Sequence, residues 1–215
     1  MKIKRTITIT CLVLSLAAIS TPAMAVDLSA NIGYNSQYIY RGILQKNSSA
    51  FGGLDLTANG FYLGAWTADV GDGIEIDYYG GYGFNAGDFN FGVGGTIYTY
   101  TGGFDDTYKE INLSAGWKFL TFDAAIGNYA NFGGPTLYYQ FYSLTAEHKG
   151  FYGKVGWFTD DFSGTYVEGG YGNTLTVKET DLFDYAFAVI YSDSTLLGGE
   201  SDTNLVLTLK KTFDF

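Results

Sequence analysis

The chain has 215 residues, 12 Lys and Arg against 22 Asp and Glu, a formal charge of −10, and 18% aromatic side chains. Acidity on this scale argues against a nucleic-acid partner, since a phosphate backbone is held by excess basic charge. Nineteen Tyr and 17 Phe exclude an acidic disordered chain, and 30 Gly with only two Pro and one Cys fit a transmembrane barrel better than a soluble sandwich.

In chain order, Lys2, Lys4 and Arg5 precede an apolar run from Ile7 to Ile19, and Ala23-Met24-Ala25 follows. A charged segment, a short apolar segment and an A-x-A site predict a secretory signal peptide over residues 1–25. The apolar run is shorter than the roughly 20 residues of a spanning helix. Cys11 falls inside it, with no lipobox before it, so the exported chain is expected to carry no cysteine. Residues 26–215 then form one domain, with nine bases against 22 acids and a formal charge of −13.

After Ala25 the pattern is period-2 alternation, broken every ten to fifteen residues by turn residues. The predicted strands are 27–41, 50–58, 60–69, 74–84, 89–100, 108–119, 121–130, 136–147, 151–159, 165–177, 182–191 and 203–215. In the first, Leu28, Ala30, Ile32, Tyr34, Tyr38 and Tyr40 share one face; Asn31, Asn35, Gln37 and Arg41 share the other. A tilted spanning strand needs roughly 9–11 residues. Twelve strands leave about 16 residues for each strand and its connection, and an even count returns both termini to the periplasmic side. The expectation is an all-β, antiparallel, up-and-down transmembrane barrel of about 12 strands.

Every second connection is short, as at Asn59-Gly60, Gly87-Asp88 and Lys149-Gly150. The others are longer and acidic, and place Asp69, Asp72, Asp105, Asp106, Asp160, Asp161, Asp193, Glu200 and Asp202 on the predicted outer rim. The last strand aligns Leu205, Leu207, Leu209, Phe213 and Phe215; a terminal Phe215 is an expected signal for the outer-membrane assembly machinery. Lys211 interrupts that face, and its long stem can carry the charge to the interface.

A soluble barrel would turn its apolar face inward and carry far more charge outside. Here the polar face is rich in Gly and short amides, and the apolar face in Tyr, Phe and Trp near strand ends, as a lipid-facing girdle requires. Two stretches carry a resemblance. Tyr38-Ile39-Tyr40-Arg41-Gly42-Ile43-Leu44-Gln45, and the segment from Gly60-Phe61-Tyr62-Leu63-Gly64-Ala65-Trp66 to Glu75-Ile76-Asp77-Tyr78-Tyr79-Gly80-Gly81-Tyr82, resemble the TorF-type porin family. These are proteobacterial outer-membrane proteins long grouped as exported proteins of unknown function. The resemblance covers residues 26–85 best, and departs at Leu44, where the family usually carries Ser. It implies an outer-membrane barrel with a channel, and brings no substrate and no catalytic residue.

With the apolar face toward lipid, the expected pore-lining charges are Arg41, Asp55, Glu75, Asp77, Glu110, Lys118, Asp123, Lys154, Glu168, Asp184 and Lys210. A Lys or Arg facing lipid at the midplane costs about 2–4 kcal/mol, so these groups face water or pair. An excess of carboxylates inside and at the rim predicts cation preference. Gly92, Gly94, Gly127, Gly156 and Gly170 on the same parity predict open space in the lumen. The competing reading is a barrel plugged by its own ion pairs.

An enzyme is the least expected alternative. His148, the only His, falls in a predicted periplasmic turn, and the pairs Asp105-Asp106 and Asp160-Asp161 diverge if extended. No P-loop, zinc motif or nucleophile elbow appears. The Asp69-Val70-Gly71-Asp72-Gly73 loop begins like a calcium loop but lacks the later ligands. No cofactor and no metal is expected. The expected partners are outer-membrane lipid and lipopolysaccharide, the assembly machinery, and small solutes or ions; the oligomeric state is left open.

Overall fold

A chain that is half apolar by alternation can satisfy every backbone group and still show lipid a hydrophobic surface only if its sheet closes on itself. The computed structural model describes residues 26–215 and shows such a closed sheet. The expected signal segment, with Cys11, lies outside the described residues. Twelve antiparallel strands follow one another around the barrel: β1 (Asp27–Tyr40), β2 (Ile43–Ala58), β3 (Phe61–Asp69), β4 (Ile74–Ala86), β5 (Phe89–Tyr100), β6 (Tyr108–Trp117), β7 (Leu120–Tyr129), β8 (Leu137–His148), β9 (Phe151–Asp160), β10 (Gly164–Val177), β11 (Thr180–Ser192) and β12 (Asp202–Asp214). The ring is sealed by β1 on β12, from Ser29 opposite Asp214 to Asn35 opposite Thr208. The up-and-down barrel of twelve strands read from the sequence is therefore the fold observed.

The two ends of the barrel differ. At the end holding Asp27 and Asp214, strands are joined by tight turns, such as Asn59-Gly60, whose φ values of 50° and 86° suit a twisted two-residue hairpin. At the other end the connections are longer. They include a single 3-10 turn at Asn131–Gly133 and a one-turn helix, α1 (Ser194–Leu197).

Alternation decides which side chains meet the outside. Ile32, Leu54, Leu63, Ile111, Phe187 and Leu205 all point outward and are more than half exposed. Contiguous apolar surface on that scale marks a face that meets something other than water. Near the tight-turn end, Phe61, Tyr82, Phe84, Phe91, Phe89 and Trp117 form a run of ring contacts across β3 to β6, with centroids 4.7–6.3 Å apart. Lys211, the charge that interrupts the apolar face of β12, sends its Nζ to the Asp181 carbonyl at 2.7 Å, out of that face.

One connection differs from its sequence reading. Residues 42–49 were expected as an outer loop, yet 43–49 belong to β2, and β1 passes into β2 through Arg41-Gly42 with φ of 48° and 82°. At 14 and 16 residues, these strands are longer than a wall strand needs. The excess leaves the wall. β1 stops pairing with β12 at Asn35, and β2 pairs with β3 only from Phe51 onward. Between those points, 36–48 pairs only with itself, with a bulge between Tyr38 and Ile39.

Candidate pore lumen

The detached hairpin turns inward. Its tip reaches five other elements: Arg41 pairs with Glu110 of β6 and lies 4.3 Å over the Phe141 ring of β8. Gly42 packs against Tyr166 of β10 and Leu196 of α1, and its carbonyl accepts from the Ser192 hydroxyl of β11 at 2.6 Å. Tyr38 and Tyr40, expected on the lipid face, are inside instead. Tyr38 donates to Glu75 at 2.5 Å, and the Tyr40 and Tyr98 hydroxyls are 2.7 Å apart. The bulge after Tyr38 and the break from β12 rotate these residues away from the face that strict alternation assigns them.

Glu110 is the centre of this plug. Besides both Arg41 nitrogens, it accepts from Tyr98 at 3.0 Å, Tyr139 at 2.7 Å and Asn112 at 2.9 Å. Its side chain has no exposed surface, and that of Arg41 retains 12%. A buried ion pair needs its charges supported by further contacts, and here three more donors reach the carboxylate while the guanidinium lies over the Tyr40 and Phe141 rings. Apolar contacts complete the seal. Ile39 packs among Ala125, Phe141, Tyr166 and Ile190 on one side of the lumen, and Tyr38 packs on Ala68 and Val70 on the other.

Beneath the tip lies a cavity of about 100 Å³. Its polar lining comes from Asn112 and Ser114 on β6, Asp123 on β7, Ser143 on β8, Lys154 on β9 and Glu168 on β10, with Arg41 above. Lys154 stands directly across from Glu168, and Tyr152 donates to that carboxylate at 2.5 Å. The Ser114 hydroxyl lines the space without a partner among the described residues. Space of this size holds a few waters rather than a large solute.

Most of the charged residues assigned to the lumen face inward. Asp55 accepts from Tyr79, Asp184 accepts from Thr174 at 2.9 Å, and Lys210 lies directly across from Asp184. Glu75 and Asp77 are each 1% exposed, and one Asp77 carboxylate oxygen has no partner among the described residues. Arg41 belongs to the hairpin rather than the wall. Lys118 is a correction: it is an exposed turn residue, its Nζ 4.4 Å over the Trp117 ring at the tight-turn rim. The predicted strand ran two residues too far and carried its parity past the turn.

The lumen glycines are a second correction. Gly94, Gly127, Gly156 and Gly170 were read as open space, but each is covered by a tyrosine from an adjacent or next-nearest strand: Tyr62, Tyr139, Tyr166 and Tyr152. Any Cβ at these positions would collide with the ring. The missing side chain makes room for another rather than for solute; of the five, only Gly92 lines the cavity.

The rim carboxylates organise loops. Asp105 accepts from Tyr108 and Tyr129 at 2.9 and 2.7 Å; Asp106 takes the Phe132 N–H and Asp161 the Tyr138 N–H, both at 2.7 Å. Asp193 caps α1 through the Leu196 N–H at 2.7 Å and also holds the Thr165 N–H. Asp202 takes its neighbour's N–H, while Asp69 pairs with Lys46. Asp72, Asp160 and Glu200 are exposed. No grouping of three or more His, Cys, Asp or Glu that could hold a metal occurs among the described residues. His148 ends β8 at the tight-turn rim, exposed and remote from the plug.

Structures with this architecture are known. The KdgM porin superimposes with a TM-score of 0.59 at 10% identity, over 86% of this chain and 99% of that one. A membrane protein solved in a study called "Unveiling the Mechanism Behind the in-meso Crystallization of Membrane Proteins" gives a TM-score of 0.55 at 9% identity, over 88% and 84%. At such identities the likeness is one of fold. No curated protein matches the chain. The family profile that matches carries a name other than TorF-type, and the comparisons do not bear that name out. That profile matches residues 19–134, more than half of the chain, and the protein therefore belongs to the Gcw_chp family, described as bacterial proteins of unknown function.

Proposed function

We propose that this protein is a bacterial outer-membrane porin of narrow bore, passing small hydrophilic solutes with a preference for cations. The observation that carries it is the division of side chains: an apolar, aromatic-girdled exterior around a lumen that holds seven carboxylates and only three bases. The carboxylates are Asp55, Glu75, Asp77, Glu110, Asp123, Glu168 and Asp184; the bases are Arg41, Lys154 and Lys210, and Arg41 is neutralised by Glu110. A low-dielectric bore with that excess concentrates cations. On this reading residues 1–25 are removed after Ala25, the tight turns and both termini are periplasmic, Phe215 serves assembly, and the acidic rim faces lipopolysaccharide.

The plug supports a second reading, a closed structural barrel. Single-channel recording in a planar bilayer under a salt gradient separates them. The porin reading predicts discrete steps and a cation-sided reversal potential; a folded barrel that never conducts leaves the closed reading, and anion preference removes the selectivity.

A further inference from the structure

We propose that the β1–β2 hairpin is a hinged gate with a second seat in the barrel wall, where residues 36–40 join the free edge of β12. The proposal rests on the channel reading and names how that channel opens.

β12 continues in the wall to Asp202, paired with β11, but loses β1 above Asn35. The edge it leaves is satisfied by substitutes. Leu207 N–H goes to the Ser36 hydroxyl at 2.8 Å, Thr203 N–H goes to the side chain of its neighbour Asp202, and Gln37 Nε2 bridges to Asn204 at 2.8 Å. A strand edge with its ladder unmade is a template for the next strand. Continuing the register past Asn35–Thr208 would set Tyr38 against Leu205, Ile39 against Asn204 and Tyr40 against Thr203.

That register also fits the side chains. Leu28, Ile32 and Tyr34 point outward, so Tyr38 and Tyr40 would follow them onto the exterior, beside a Leu205 that is 70% exposed. The alternation that breaks in the lumen seat is unbroken in the wall seat. The hinge is already marked: a bulge follows Tyr38, and Ser48 holds a φ of 64°. In the lumen seat the latch consists of Arg41–Glu110, Tyr38–Glu75 and Tyr40–Tyr98. Movement to the wall exchanges these for ladder bonds, and it uncovers Glu75, Asp77 and Glu110 to the bore without Arg41. The open channel is then both wider and more cation-preferring.

The full chain, in a Cys11→Ser background, expressed in a Gram-negative host and purified from its outer membrane, provides the test. Tyr40→Cys with Thr203→Cys should form an intramolecular disulfide on oxidation, because paired strands bring Cα atoms within the roughly 7 Å a disulfide needs. Oxidised channels should conduct several-fold more, with a larger cation-sided reversal potential, and reductant should reverse both. Glu110→Gln and Arg41→Ala should raise the time spent in the large step several-fold without cysteines; heat-modifiable migration on gels confirms that each variant folds. Failure of the pair to cross-link, with unaltered steps in Glu110→Gln and Arg41→Ala, overturns the gate and leaves the channel intact. A cross-link that forms while no variant conducts supports the hinge and removes the channel reading beneath it.

Discussion

The long-loop half of the lumen and its tight-turn half are walled by the same strands yet filled in different ways. Toward the long loops, the space is taken by a piece of the chain itself, Tyr38 to Gly42, fixed by an ion pair whose carboxylate accepts five hydrogen bonds. Toward the tight turns, it is taken only by wall side chains, tyrosines laid over glycines and carboxylates facing Lys154 or Lys210. Removing Glu110 in the long-loop half strands a buried Arg41, whereas in the tight-turn half Lys154 shares its cavity with two carboxylates, Asp123 and Glu168, and keeps one when the other is removed. The difference shows that closure in this barrel is local, and is carried by few residues.

The largest expected effect tests that contrast directly. Glu110→Ala leaves Arg41 charged and almost fully buried, and should cost about 3–5 kcal/mol in urea unfolding from detergent micelles. Glu168→Ala, in the tight-turn half, takes the acceptor from the Tyr152 hydroxyl and one carboxylate from the buried Lys154, which still shares its cavity with Asp123, and should cost less, about 1–3 kcal/mol. Equal losses would remove the distinction between the halves. Ile111→Arg places a charge on the exterior and should cost about 2–4 kcal/mol in lipid while leaving conductance unchanged, which checks which face meets lipid. Gly94→Val drives a side chain into Tyr62 and should cost about 1–3 kcal/mol, with partial recovery in Gly94→Val/Tyr62→Ala measured by the same unfolding. The smallest effect belongs to Lys46→Ala. The Lys46–Asp69 pair is open to solvent, and its loss should leave the unfolding midpoint almost unchanged, with any difference vanishing at high salt.

Much of the wall was legible in the sequence because alternation is a local signal: each strand from β3 to β12 starts and ends within about two residues of its reading. The hairpin was not. Gly42, Gln45, Asn47, Ser48 and Ser49 read as a polar loop, and the regular alternation through Tyr40 placed both tyrosines outside. What holds them inside is contact across the barrel, such as Arg41 to Glu110, 69 residues apart, and no local pattern records such a pair. Most inward charges were readable because parity alone sets them. Lys118 failed for the same reason, since parity has no meaning beyond the last paired residue, Trp117 opposite Leu120. The glycines failed differently. Their parity was right, but the rings that cover them belong to other strands, so emptiness could not be told from occupancy within one strand.

The tyrosine over a glycine has one more consequence. Tyr62 of β3 spans β4 and lies against both Gly81 of that strand and Gly94 of β5, each too close to tolerate a Cβ. A one-residue slip of β3 would carry the ring off this seat, opposite Gly80 or Tyr82, and turn it to the other face of the sheet. The Gly81–Gly94 seat therefore holds Tyr62 on the lumen face in the observed register. A ring shared by three strands ties the alignment of the β3–β4 hairpin to that of β5, so a fault in one hairpin is felt by the next.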